Sequence, residues 1–178
     1  MPLAETAHLG KVLLMEFTFG YSSPLGKMMM ASDGHSLTGL WFEGQNHFAA
    51  GLDGDHTEKS LPVFDETALW LDLYFRGTVP PFTPPLLFRT SQFRETVWQI
   101  LLGIPYGETT TYGAIARQAA AELAVPRMSA RAVGGAVAHN PISIIVPCHR
   151  VLGAQYELGD YAGGIERKVA LLQLEGAF

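Results

Sequence analysis

The sequence holds one cysteine, Cys148, in 178 residues. That excludes an internal disulfide framework and any metal site built on several thiolates, and it suits a reducing compartment where a working thiol survives. Charged residues make up only 16% of the chain against 48% hydrophobic, the balance of a soluble globular fold rather than a disordered one. No apolar run approaches the length that spans a bilayer. Val12 to Phe19 is too short, and the residues before it include Glu5 and one lysine, unlike a secretory leader, so a cytoplasmic protein without membrane contact is expected. A Lys/Arg stripe is also lacking. The net charge of −5 argues at first against nucleic acid, but residues 1–89 carry 5 Lys+Arg against 10 Asp+Glu, whereas residues 90–178 carry 7 of each. The second half is neutral and free to bear a local basic face.

The first half reads as β-rich with one helix. Val12–Phe19 has strand composition, Tyr21–Gly26 is a turn, and Lys27–Ser32 with Leu37–Phe42 reads as a hairpin closed by a tight turn at Asp33-Gly34. Glu43–Ser60 reads as loop, and its histidines, His47 and His56, are either solvated loop residues or metal ligands without regular spacing. Asp65 is a candidate N-cap for a helix carrying Ala68, Leu69, Leu73 and Tyr74 and ending at Gly77. The proline-rich stretch Val79–Pro85 is a stiff connector, which divides the chain into units 1–88 and 89–178.

The second unit is mainly helical. A helix opening near Ser91 places Phe93, Val97, Ile100 and Leu101 on one face. Thr110 can cap a second helix from Tyr112 to about Glu122, a third starts near Ser129 and ends at His139-Asn140-Pro141, and a closing helix runs from about Ile165 to Leu174. The second and third resemble a helix-turn-helix. In the third, Ala130, Ala132, Gly134, Gly135 and Ala136 crowd around Arg131. Paired mid-helix glycines suggest close approach of another surface, either a neighbouring helix or a narrow groove of DNA.

Ile142–Val146 reads as a short buried strand that Pro147 stops, so Cys148 is delivered to the end of a rigid element. A thiol reacts as its thiolate, and His149 and Arg150 are candidates for the base or the positive field that raises the thiolate fraction. A lone cysteine is otherwise an inert buried hydrophobe.

Arg131-Ala132-Val133-Gly134-Gly135, Asn140-Pro141, Ile145-Val146-Pro147-Cys148-His149-Arg150-Val151, Gly159-Asp160-Tyr161-Ala162-Gly163-Gly164, and Arg167-Lys168 through Leu174-Glu175-Gly176 occur in this order. Together they resemble the O6-alkylguanine-DNA alkyltransferases, bacterial type, over essentially all of residues 91–176. Pro24-Leu25-Gly26 and Gly39–Gly44 are similar to bacterial members but less diagnostic. The resemblance implies an α+β protein: a β-rich, ribonuclease H-like amino-terminal domain with a helix, joined to a mostly helical carboxy-terminal domain with a winged-helix-like helix-turn-helix. It implies a single irreversible transfer of the alkyl group from O6-alkylguanine, and by extension O4-alkylthymine, in double-stranded DNA to Cys148. No cofactor and no metal are implied, and the protein is expected to be a monomer.

By the same resemblance, a water held by His149 and oriented through Glu175 activates Cys148, and the Tyr112 phenol protonates the leaving guanine. Asn140 organises the bend before the cysteine, Tyr161 lines the pocket, and the carbonyls of Cys148 and Val151 accept from the guanine amine. Arg131 fills the space of the flipped nucleotide, while Ala132, Gly134, Gly135 and Ala136 let the helix lie in the minor groove. The chain departs from the family pattern in extra residues around Ala119–Pro126, in Tyr156 where many members have glycine, and in Ser143 where some animal members have proline. Two rival readings follow from the residues: a lesion binder without chemistry, against which Cys148 argues, and a Cys-His hydrolase, which would turn over.

Overall fold

The computed structural model describes residues 15–178. Four strands form the amino-terminal sheet in the order β3-β2-β1-β4: β1 (Glu16–Ser23), β2 (Gly26–Ser32), β3 (Leu37–Phe42) and β4 (His56–Glu58). The expected first strand is present from Glu16, and its Val12–Leu14 portion lies outside the described residues. β1, β2 and β3 are antiparallel neighbours, while β4 pairs parallel to β1. The segment read as loop therefore contains a three-residue strand, too short and too polar (His-Thr-Glu) to signal itself. The β2–β3 connection is longer than an Asp-Gly turn: the Asp33 carboxylate accepts from the amides of His35 and Ser36 and holds a four-residue loop.

Helix α1 (Pro62–Phe75) covers this sheet. It starts before Asp65, with Pro62 in the first turn, where the missing N–H costs nothing. The inward face is Val63, Thr67, Trp70, Leu71 and Tyr74, whereas Leu69, expected on it, is 53% exposed.

The carboxy-terminal half packs three helices, α2 (Gln92–Leu102), α3 (Tyr112–Glu122) and α4 (Ala130–Ala138), against one another, and Trp98 of α2 donates its indole N–H to the Ala136 carbonyl at 2.8 Å. Serine and threonine caps start all three: Ser91, Thr111 and Ser129 accept from the amides of Arg94, Ala114 and Ala132. The cap of α3 is Thr111 rather than Thr110, which lies in the two-residue strand β5 (Thr110–Thr111) parallel to β6 (Val151–Leu152). Helix α5 (Ile165–Leu174) closes the chain.

The expected strand at Ile142–Val146 is not formed. Only Ile142 bridges to a strand, pairing with Leu40 at the β3 edge, where Leu40 donates to the Pro141 carbonyl and Ser143 donates to Leu40. Ile144 then adopts φ 70°, a left-handed conformation that no strand contains, and the chain turns. The apolar run is buried because it lies between the two halves, which composition alone cannot distinguish from a strand. One hydrophobic cluster runs through both halves, from Met28 and Phe42 through Leu71 and Trp98 to Leu171.

Candidate active site

Cys148 opens a one-turn 3-10 helix, Cys148–Arg150, with Pro147 at its N-cap. The segment leading to it is pinned to the β3 edge, and the segment leaving it joins β5 through β6, so both flanks of the cysteine are fixed. Cys148 is 4% exposed and lines an open cleft of about 880 Å³. Tyr112, Arg131, Gly134 and Tyr161 line the same cleft. The sulfur is therefore buried but not sealed.

Asn140 organises the bend in detail. Its amide nitrogen donates to the Val146 carbonyl at 2.8 Å and to Cys148 Sγ at 3.1 Å, and its oxygen accepts from the Ile142 amide at 3.0 Å. Burial pushes the Cys148 thiol up, against the Asn140 hydrogen bond and the nearby Lys168 ammonium, which favour the thiolate. At rest the group is a thiol, so nucleophilic work requires a base.

His149 is not among the residues lining the cleft and belongs to a buried polar network. Its Nε2 lies 2.7 Å from Glu175 Oε1, the same oxygen accepts the Tyr74 hydroxyl at 2.7 Å, and Arg150 grips both carboxylate oxygens at 2.8 and 2.9 Å. Burial lowers the His149 pKa despite the attraction of Glu175, and Arg150 and Lys168 push the same way. Burial alone would raise the Glu175 pKa, but the hydrogen bonds from His149 and Arg150 outweigh it and hold the carboxyl well below the usual range. The two directions agree on one state: an ionised Glu175 neutralised by Arg150, accepting from a neutral His149 through Nε2–H. The other ring nitrogen, Nδ1, then carries a free lone pair and has no protein partner among the described residues.

Arg150 is thus not the cation that acts on the thiol; it holds Glu175 and the Ile104 carbonyl. That place falls to Lys168, which is fully buried, donates to the Val151 carbonyl at 2.7 Å and to the Asp160 carbonyl at 3.3 Å, and is lowered by burial to about 8. The carbonyls of Cys148 and Val151 each already accept one donor, the Val151 amide and Lys168, so an incoming amine would share the oxygen.

Tyr112 stands at the first position of α3, half-buried, and burial raises its phenol pKa, which keeps the phenol protonated at neutral pH. The Tyr161 hydroxyl is buried without a hydrogen bond among the described residues. Ser143, which opposes the upward push of burial on that phenol, donates instead to Gln45 at 3.3 Å. Gly163 is needed here for close approach: a β-carbon on it would sit 2.6 Å from the Tyr161 ring. On α4, Arg131, Ala132 and Gly135 are exposed and Gly134 is half-buried, whereas Ala136, expected beside them on the groove-facing side, is buried. A β-carbon at Gly135 would meet nothing within 4 Å, and one at Gly134 would make an ordinary 3.9 Å contact with Tyr112. Packing inside the protein does not demand either glycine.

Tyr74 and Lys168 were not singled out by sequence reasoning. Tyr74 reaches Glu175 from 101 positions away, and nothing local distinguishes it from a core aromatic. Lys168 follows Arg167 in the motif and falls at helical spacing with Leu171 and Leu172, the buried face of α5.

Residues 92–177 match the family described as 6-O-methylguanine DNA methyltransferase, DNA binding domain, and residues 19–88 match its ribonuclease-like domain. A methylated-DNA–protein-cysteine methyltransferase of Haemophilus influenzae is 44% identical over 156 residues, 87% of this chain and 83% of that protein. One from Methanosarcina acetivorans is 39% identical, covering 88% and 96%. Among solved structures, Mycobacterium tuberculosis OGT in complex with DNA is similar with a TM-score of 0.78 at 42% identity, over 90% of this chain and 93% of that one. The M. tuberculosis O6-methylguanine methyltransferase gives 0.77 at 41% identity, over 92% and 94%.

Proposed function

The chain belongs to the 6-O-methylguanine DNA methyltransferase family, and from that premise we propose that Cys148 takes the alkyl group of O6-alkylguanine, and of O4-alkylthymine, out of duplex DNA. The protein binds DNA and repairs it by alkyl transfer to a cysteine. The observation that carries the residue assignment is the placement of Cys148 in an open cleft, with Asn140 donating to its sulfur and the buried His149–Glu175 pair behind it.

The thiol proton leaves through a water to His149 Nδ1, whose other nitrogen is fixed on Glu175. The sulfur forms a bond to the alkyl carbon as the bond from that carbon to O6 breaks, in line. Tyr112 gives its proton to a ring nitrogen of guanine, which departs neutral, and solvent exchange returns a proton from His149 to the phenolate. The product is a thioether, a poor leaving group, so each molecule acts once. Because the target atom lies inside the base stack, the nucleotide must be extruded into the cleft, with Arg131 replacing it and Ala132, Gly134 and Gly135 letting α4 approach the minor groove. Tyr161 forms the inner wall.

We read residues 1–88 and 89–178 as the two units, the protein as a monomer, and its place as the cytoplasm; among the described residues no helix is long and apolar enough to cross a membrane. Mixing the protein with duplex DNA containing one O6-methylguanine should add the mass of one CH2 to each chain, on the peptide holding Cys148. Complete repair with an unmodified protein mass, or product in excess of protein, would overturn the assignment.

A further inference from the structure

The segment Gly153–Gly159 leaves the cleft at Ala154 and returns to it at Gly159, both of which line it, so the residues between form an overhang at its mouth. The overhang is closed on itself: Gly153 donates to the Glu157 carbonyl at 2.7 Å, and Tyr156 donates its amide to the Gly153 carbonyl at 3.1 Å. Inside it, two consecutive residues are left-handed, Gln155 at φ 59° and Tyr156 at φ 63°. That region crowds a β-carbon against the backbone and belongs to glycine or asparagine by preference.

The Tyr156 ring does nothing inside the protein to offset this cost. It is 70% exposed, and among the described residues it makes no side-chain hydrogen bond and no aromatic contact. The three tyrosines of the site and its supporting network, Tyr74, Tyr112 and Tyr161, are all packed against the core. Strain held at a cleft mouth without a return in the folded state points to a ligand. The charge pattern narrows what the ring can meet. From Val151 to Glu166 there is no lysine or arginine, while Glu157, Asp160 and Glu166 are acidic. This rim cannot draw phosphates by charge, and the contact left to it is the face of an aromatic ring.

We propose that Tyr156 is a stacking platform for a nucleobase next to the extruded nucleotide, sharing with Arg131 the space that the nucleotide leaves. This rests on the reading of the cleft as the receptor of an extruded nucleotide. Aromatic faces accept any base, so the platform strengthens binding at a lesion without adding sequence preference.

The test compares Tyr156→Gly and Tyr156→Phe, each in the full chain with Cys148→Ala to prevent reaction. Binding to a duplex with one O6-methylguanine and to the same duplex undamaged is read by fluorescence anisotropy, and thermal melting is read alongside. Tyr156→Gly should bind the lesion duplex at least about fivefold more weakly, the loss of one base–aromatic stack, with little change on undamaged DNA. It should also melt at a higher temperature, because glycine relieves the left-handed strain. Tyr156→Phe should match the tyrosine protein in all three. Unchanged lesion affinity in the glycine variant overturns the proposal. So does equal weakening on undamaged DNA, a phenylalanine variant as weak as glycine, or a lower melting temperature for glycine. Failure here leaves the mass shift on Cys148 of the unsubstituted protein untouched, so the two readings fail separately.

Discussion

Asn140 Nδ2 stands 3.1 Å from Cys148 Sγ and 2.8 Å from the Val146 carbonyl, so one amide nitrogen ties the sulfur to the backbone that presents it. The amide cannot turn over, because its oxygen is taken by the Ile142 amide. Its donor stabilises the thiolate more than the thiol, against the upward push of burial. Asn140→Ala should slow alkyl transfer at neutral pH about tenfold or more, the worth of a hydrogen bond to a charged group. Asn140→Asp, which faces the sulfur with a carboxylate, should slow it further. Thiolate absorbance against pH checks the cause: the Cys148 titration must move up in both variants, and an unmoved titration rules the explanation out.

Glu175 and His149 set an acid limit on stability, and the sign is the same for both. Each has a folded pKa below its unfolded one, near 4.5 for Glu175 and 6.5 for His149, so the unfolded chain takes up more protons in acid. Stability contributed by this network is complete above the unfolded values and is lost as pH falls, first below 6.5 and more steeply below 4.5. Melting temperature should decline in those two stages. Glu175→Gln should flatten the lower one while costing about 3–5 kcal/mol at neutral pH, since it strands the buried Arg150 guanidinium. A glutamine variant with the native acid profile would contradict the assignment.

Lys168 is the buried cation that favours the thiolate of Cys148 while holding the Val151 and Asp160 carbonyls. Lys168→Met keeps the chain length and removes the charge. The thiol pKa should rise, transfer at pH 7 should fall about tenfold for each unit of that rise, and raising the pH should recover part of the rate. The lysine itself is lowered from 10.5 to about 8, so its burial cost is present below 8 and relieved as pH rises to 10.5. Unsubstituted protein should therefore gain stability over that interval relative to Lys168→Met, measured by urea titration at both ends.

Much of this was legible in the sequence, and the misses have physical causes. Caps and spacing located α2, α4 and α5 because their signals are local: a serine cap, a periodic face, a glycine or proline stop. The strand expected at Ile142–Val146 failed because burial between two halves imitates burial in a sheet. The motif residues Asn140, Cys148, His149 and Glu175 meet in two linked groups, but the function of Arg150 depends on a carboxylate 25 positions away and that of Tyr74 on one 101 positions away. No pattern within a window of sequence contains such contacts. The family resemblance supplied Glu175, whereas chemistry alone would have left it as an ordinary helix-end charge.

Gly135 separates two explanations of the small-residue helix α4. If the glycine served packing within the protein, an added methyl would clash; yet a β-carbon there meets no atom within 4 Å, and the residue is exposed and helical. Gly135→Ala should therefore stabilise the free protein by about 1 kcal/mol, the helix-propensity difference between the two residues. If α4 lies against a DNA groove, the same methyl occupies space that the duplex needs. Binding to undamaged and lesion duplex should weaken together, because the contact precedes extrusion, and Gly135→Leu should weaken both further. Melting temperature and anisotropy on the same preparations decide it. A variant that is more stable and binds DNA as well as before would remove the helix from the groove, and with it the reason for Arg131 to stand where the nucleotide leaves.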